Sequence, residues 1–97
     1  MRATYDPEAR AIAVVLAVDE RHSVVREVTD GMYVGLRDGV PVMLELVGMG
    51  TGDDERRLAA AAAGYQLDSA AILAAFRAAL GVPGREVTVD VAGPRAA

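Results

Sequence analysis

Glu45 is the residue whose placement most needs an explanation. It interrupts the apolar run Met43-Leu44-Glu45-Leu46-Val47, where a carboxylate is costly unless it is exposed, paired or hydrogen-bonded. Arg26, Arg37 or Tyr33 on neighbouring strands could satisfy it. Held instead in a deep pocket with a raised pKa, it could serve as a general acid or base. His22 is the single histidine and has the ordinary pKa range of a general base. No nucleophile or orienting carboxylate stands at a telling spacing from it, since Asp19 and Glu20 are merely its neighbours in a turn. A surface or hydrogen-bonded histidine at the start of a strand is the simpler reading. Asp6 and Glu8 flank Pro7 and read as turn chemistry rather than as an acid–base pair. Glu45, Tyr33 and His22 are therefore the candidates for a ligand-binding or special polar role, and no residue is assigned as catalytic.

Other polar motifs carry less. Gly48-Met49-Gly50-Thr51-Gly52 lies where a strand hands over to a helix, and helix N-termini bind phosphate through free N–H groups and positive partial charge. The next residues are Asp53, Asp54 and Glu55, which fill that position with negative charge, and no lysine follows. The same acidic triplet lacks the alternating ligands of a calcium loop, so helix-end electrostatics explains it better than a metal site. Arg56-Arg57 is the only basic doublet, and the acids before it cancel its field. With 10 basic and 14 acidic residues, a net charge of −4 and no cysteine, the chain has no footprint for nucleic acid, no zinc knuckle and no thiol nucleophile. We expect no metal and no cofactor. No run approaches the ~20 apolar residues of a membrane helix, and Asp6, Pro7 and Glu8 interrupt any leader-like pattern. The expectation is a cytoplasmic protein that contacts neither membrane nor nucleic acid.

The elements that must position these residues follow from patterning. Arg2–Tyr5 reads as a strand before the Tyr5-Asp6-Pro7-Glu8 turn. Ala11–Val18 reads as a central strand, with Ile12, Val14, Leu16 and Val18 on one face and the small Ala11, Ala13, Val15 and Ala17 on the other. His22–Thr29, Met32–Arg37 and Val40–Val47 follow, separated by Asp30-Gly31 and Asp38-Gly39 turns. Pro41 has no N–H for a ladder and belongs at a strand start or an edge. Thr51 is placed to cap a first helix with Asp53, Asp54 and Glu55 in its first turn, a body over Arg56–Ala63 that holds only one large apolar residue, Leu58, and Gly64 as its stop. Asp68 caps a second helix with the stripe Ile72, Leu73, Phe76 and Leu80, closed by Gly81 and Pro83. Arg85–Val91 alternates as a half-exposed strand, and 92–97 reads as a disordered tail.

The series Tyr5-Asp6-Pro7-Glu8-Ala9, Val28-Thr29-Asp30-Gly31, Asp38-Gly39 and Leu44-Glu45-Leu46 resembles the small bacterial family known as domain of unknown function 2283. The resemblance spans about residues 3–47. The chain departs from that pattern at Arg10-Ala11-Ile12-Ala13-Val14, where the family has Asp-Ala-Leu-Tyr-Ile, and at Met43, where it has glycine. The resemblance implies an antiparallel meander with a helix, and Glu45 falls on a glutamate recurrent in the family. It implies no reaction, and only a loose association with toxin-type genes.

The reading as a whole is a single α+β domain over 1–91. It consists of an antiparallel meander of about five strands, one or two helices on one face, and a last strand returning to the sheet. One helix layer cannot cover both apolar faces of the central strand, so a homodimer or another protein partner is expected. Ile72, Phe76, Leu80, Val87 and Val89 are the residues suggested for that interface. A non-enzymatic interaction or regulatory module is favoured. A small-ligand domain with a pocket between the alanine-rich strand face and the helix is the alternative, and a carboxylate-based enzyme comes third.

Overall fold

The computed structural model describes residues 1–19 and 21–89. Its frame is one antiparallel sheet built from β1 (Arg2–Asp6), β2 (Ala11–Val15), β3 (Val24–Thr29), β4 (Met32–Arg37), β5 (Val40–Val47) and β6 (Glu86–Thr88), with α1 (Asp54–Gly64) and α2 (Ser69–Leu80) between β5 and β6. The strand order is β3-β4-β5-β2-β1-β6. The α+β architecture expected from the sequence is thus present, with one added feature. The β1–β2 hairpin and the β3-β4-β5 meander are joined by β2 against β5, so the 16–23 segment must cross the end of the sheet to reach β3.

Turn chemistry sets the hairpins. The Asp6 carboxylate accepts from the backbone N–H of Glu8 and Ala9 at 3.0 and 3.3 Å, closing β1 onto β2. Asp38 and Gly39 both take positive φ, 53° and 78°, the two-residue turn whose twist matches paired strands. Pro41 sits at the start of β5 beside a register shift in the β4–β5 ladder, where no N–H is demanded of it.

The strand alternation becomes two unlike faces. Ile12, Val14, Met32, Val34, Leu44 and Leu46 are fully buried under the helices together with Leu58, Ile72 and Phe76. α2 lies over β1, β2 and β6, and α1 reaches toward β4. Asp68 caps α2 as expected, its side chain accepting from Ala71 N–H at 3.1 Å. The first helix lies where it was expected and packs more closely than its single large apolar residue suggested. It runs a full Asp54–Gly64 and buries Leu58, Ala61 and Ala62, because alanines permit close contact with α2 where bulk is lacking. Thr51 does not cap it; its hydroxyl donates to the Asp53 carboxylate, and Asp54 instead takes the Gly50 N–H at 3.0 Å. Arg77 on α2 binds Glu55 on α1 at 2.7 Å, and its guanidinium holds the Glu55 carboxyl below the usual range.

β2 and β3 are shorter than their patterns predict, β3 beginning at Val24 rather than at His22. β2 ends at Val15, and Val18 is 100% exposed, because the chain must leave the sheet to cross toward β3. Among the described residues the last strand spans Glu86–Thr88, starting one residue later than expected, and pairs with β1; Asp90, Val91 and the tail over 92–97 lie outside the described residues. Ile72 and Phe76, suggested above for an interface, are 1% and 2% exposed. Their stripe faces this chain's own sheet, so it is not available to a partner. Val87 and Val89 pack half-buried against the same core, and Leu80 alone of that set is exposed, at 37%.

Candidate functional site

Both described helices lie on one face of the sheet, and neither covers the second. The register places Glu27, Tyr33, Glu45, Ala13, Thr4 and Glu86 side by side across all six strands. The next row on that face is Val25, Gly35, Met43, Val15, Arg2 and Thr88. Gly35 has no side chain of its own there. A Cβ built on it would stand 3.1 Å from the His22 ring, so the imidazole lies on the sheet at this glycine. Glu45, Tyr33 and His22, separate in sequence, therefore share one surface.

Glu45 is half-buried at the centre of that surface. None of the partners anticipated for it reaches it. Arg26 stands opposite Val34, on the helix side. Arg37 is held at 2.9 Å by Asp19. Tyr33 is directly across the ladder from Glu45, but no hydrogen bond joins the two side chains among the described residues, and the Glu27 charge acts on the phenol more strongly than Glu45 does. The Glu45 carboxylate has no hydrogen-bond or ion-pair partner among the described residues. The Glu27 charge, then burial, then the hydrogen bond to Glu27, with smaller effects of Asp30 and Glu45, raise the Tyr33 phenol above its ordinary value.

This shift predicts a measurable pH effect. The folded phenol keeps its proton above the pH near 10 at which an unfolded tyrosine releases it. The native state thus gains from Tyr33 below that pH and loses the gain as pH rises through the folded value. Titration of carbon-labelled tyrosine by NMR should show Glu27→Gln moving the Tyr33 midpoint down. An unmoved midpoint would contradict the assigned cause.

At the other end of β4 the crossing segment brings a second charged group. Asp19 accepts from the Arg21 guanidinium at 2.7 Å and from Arg37 at 2.9 Å. The Arg21 side chain first, then its backbone N–H and the two positive charges, hold the Asp19 carboxyl far below the usual range. With His22 and Ser23 these residues edge an open groove of about 490 Å³. A larger groove of about 570 Å³ lies between the β3–β4 turn and the start of α1, against Gly31, Val47, Thr51 and Arg57. Arg57 is already committed there, donating to the Asp30 carbonyl. Neither groove contains Glu45 or Tyr33.

Chemically, the face presents apolar area with the Glu45 carboxylate set into it. No group of three or more His, Cys, Asp or Glu side chains that could hold a metal occurs among the described residues. Asp6 is occupied by its turn. The alanine-rich side of β2, expected beneath a helix with a pocket between, lies on the opposite face from both helices, because Ile12 and Val14 carry the larger side chains and take the core. No described helix is long and apolar enough to cross a membrane. What the sequence did not reveal is the Asp19–Arg21–Arg37 cluster, whose members are brought together only by the strand crossing. No protein-family model, curated protein or solved structure matches the chain.

Proposed function

We propose that this protein is a non-enzymatic interaction module, and that its open sheet face is the surface by which it binds another protein surface. The observation that carries this reading is the asymmetry of the sheet. Two helices cover one side, while the other side presents Ala11, Ala13, Val15, Pro41, Met43 and Val47, all partly or largely buried by their neighbours and covered by neither described helix. Sheets faced with apolar side chains on both sides normally have both sides covered, and contiguous exposed apolar area marks a binding surface. Glu45 supports the same reading. A half-buried carboxylate in an apolar surround, with no partner among the described residues, is a specificity element, since a correct partner supplies a cation or donors and a wrong one leaves it stranded.

Light scattering on the purified chain tests this. A particle heavier than 10.1 kDa is expected at high micromolar concentration, and Met43→Asp should return it to that mass without loss of circular dichroism. Association unaffected by Met43→Asp would contradict the reading.

A further inference from the structure

We propose that Asp38-Gly39, in the β4–β5 turn, is a site of spontaneous isoaspartate formation, and that the fold protects the chain's other Asp-Gly pair, Asp30-Gly31, from the same reaction. The inference is independent of what binds the open sheet face.

The chemistry needs only two neighbouring residues and water. The Gly39 amide nitrogen attacks the side-chain carboxyl carbon of Asp38 and a C–N bond forms. The hydroxyl of the protonated carboxyl leaves with the amide proton as water, giving a five-membered cyclic imide. Water then adds to either ring carbonyl, and that carbonyl's bond to nitrogen breaks. One product is the original aspartate. In the other, the main chain runs through the former side-chain carbon, and the former main-chain carbonyl becomes a free carboxylate. The water lost in the first step is regained in the second. Glycine favours the reaction because it has no Cβ to crowd the nitrogen or restrict its backbone. The sequence holds two such pairs.

The structure separates them. The peptide group joining Asp30 to Gly31 is held at both sides. Its N–H donates to the Glu27 carboxylate at 3.2 Å, and its carbonyl accepts from the Arg57 guanidinium. Gly31 is further tied through its own carbonyl, which takes the Val47 N–H at 2.8 Å. Attack on the Asp30 carboxyl needs this peptide to rotate, which breaks the first two bonds, and needs the nitrogen to lose a proton that a carboxylate is holding.

The peptide group joining Asp38 to Gly39 has none of these restraints. Neither it nor the Asp38 carboxylate has a hydrogen bond or ion pair among the described residues. A Cβ on Gly39 would meet nothing within 4 Å, and Asp38, Gly39 and Val40 are all exposed. Beyond the register shift at Gly35 and Leu36, only the Leu36–Pro41 and Arg37–Val40 pairs close this hairpin, and Pro41 has no N–H to contribute. Such an end opens locally at low cost.

Ageing the full folded chain in heavy-oxygen water tests this, because each ring opening leaves one solvent oxygen in the product. Cleavage after Tyr33 puts the two pairs on different peptides, and chromatography separates the isoaspartyl form of each. Asp38 should convert at least about tenfold faster than Asp30, the factor that one hydrogen bond to a charged group is worth. In urea the two rates should match, since the restraints on Asp30-Gly31 are then gone. Glu27→Ala should speed conversion at Asp30 several-fold and leave Asp38 unmoved, with circular dichroism verifying the fold. Arg57→Ala, which frees the other side of the same peptide, serves if Glu27→Ala fails to fold. Equal rates in the folded chain, or a faster rate at Asp30, overturn the proposal. A disparity that persists in urea assigns the difference to local sequence and overturns it as well. An Asp30 rate unmoved by either folded variant overturns the protection assigned to the fold.

Discussion

Phe76→Ala should be the most damaging single truncation on the helices. Phe76 is the only phenylalanine, 2% exposed, and it sits on α2 where that helix meets the sheet and α1. Its neighbours on α2 include Ala75 and Ala79, whose methyl groups have no rotamer by which to swing into the space it leaves. Removing a buried aromatic ring costs about 3–5 kcal/mol when the surroundings cannot collapse. That is a large part of the 5–15 kcal/mol of an ordinary domain. The expected result in urea is a midpoint shift of that size with an unchanged denaturant slope, and a fall in Tm of more than about 15 °C. A loss under about 1 kcal/mol would show that the helix layer is not seated as described. The same substitution should leave the open face intact in whatever fraction remains folded, which separates stability from binding.

The second large effect concerns a turn. Gly31 and Gly39 adopt nearly the same backbone, φ 79° and 78°. Their surroundings differ. A Cβ on Gly39 meets nothing within 4 Å, whereas one on Gly31 would stand 2.9 Å from the Val47 carbonyl oxygen and 3.0 Å from the Arg57 guanidinium. Val47 also donates its N–H to the Gly31 carbonyl at 2.8 Å, so the two backbones are tied and cannot part. Gly39→Ala should cost only the left-handed penalty of about 1–2 kcal/mol. Gly31→Ala should cost that and a further ~1–3 kcal/mol for overpacking. Chemical denaturation of the pair measures the difference, and equal losses would contradict the close approach of the β3–β4 turn to the end of β5.

The elements were legible where local chemistry and burial agreed. β4 and β5 follow their alternation to the residue, Met32–Arg37 and Val40–Val47, because both are interior strands with one buried face. Asp68 could be read as a cap because its side chain does what an aspartate before an apolar stripe does. The failures are tertiary. Nothing in Ala11–Val18 shows that the chain must turn out of the sheet after Val15, since that is dictated by the β2–β5 pairing. Alanine-rich helices hide their packing from sequence patterns, so α1 looked marginal although its Ala61 and Ala62 are buried.

The candidate site was legible in its residue types and not in its partners. Glu45, Tyr33 and His22 stood out singly, and register alone shows that they share a face. The parity of Arg26 places it on the other side of the sheet from Glu45, a point that alternation could have given in advance. The Asp19 bridge to Arg37 could not have been read, because it spans a crossing whose path depends on strand order. The suggested interface on α2 failed for a related reason. An apolar stripe announces burial, and sequence does not say whether this chain or another one provides it.

The central claim is that the helix-free side of the sheet is where this protein meets another protein surface. Methyl-resolved NMR spectra recorded over a dilution series test it most directly. The account predicts that the methyl signals of Met43, Val15 and Val47 move together with concentration while those of Val24 and Leu80, exposed elsewhere, hold still. Movement confined to Val24, Val28 or Leu80, with Met43 unchanged, would contradict it.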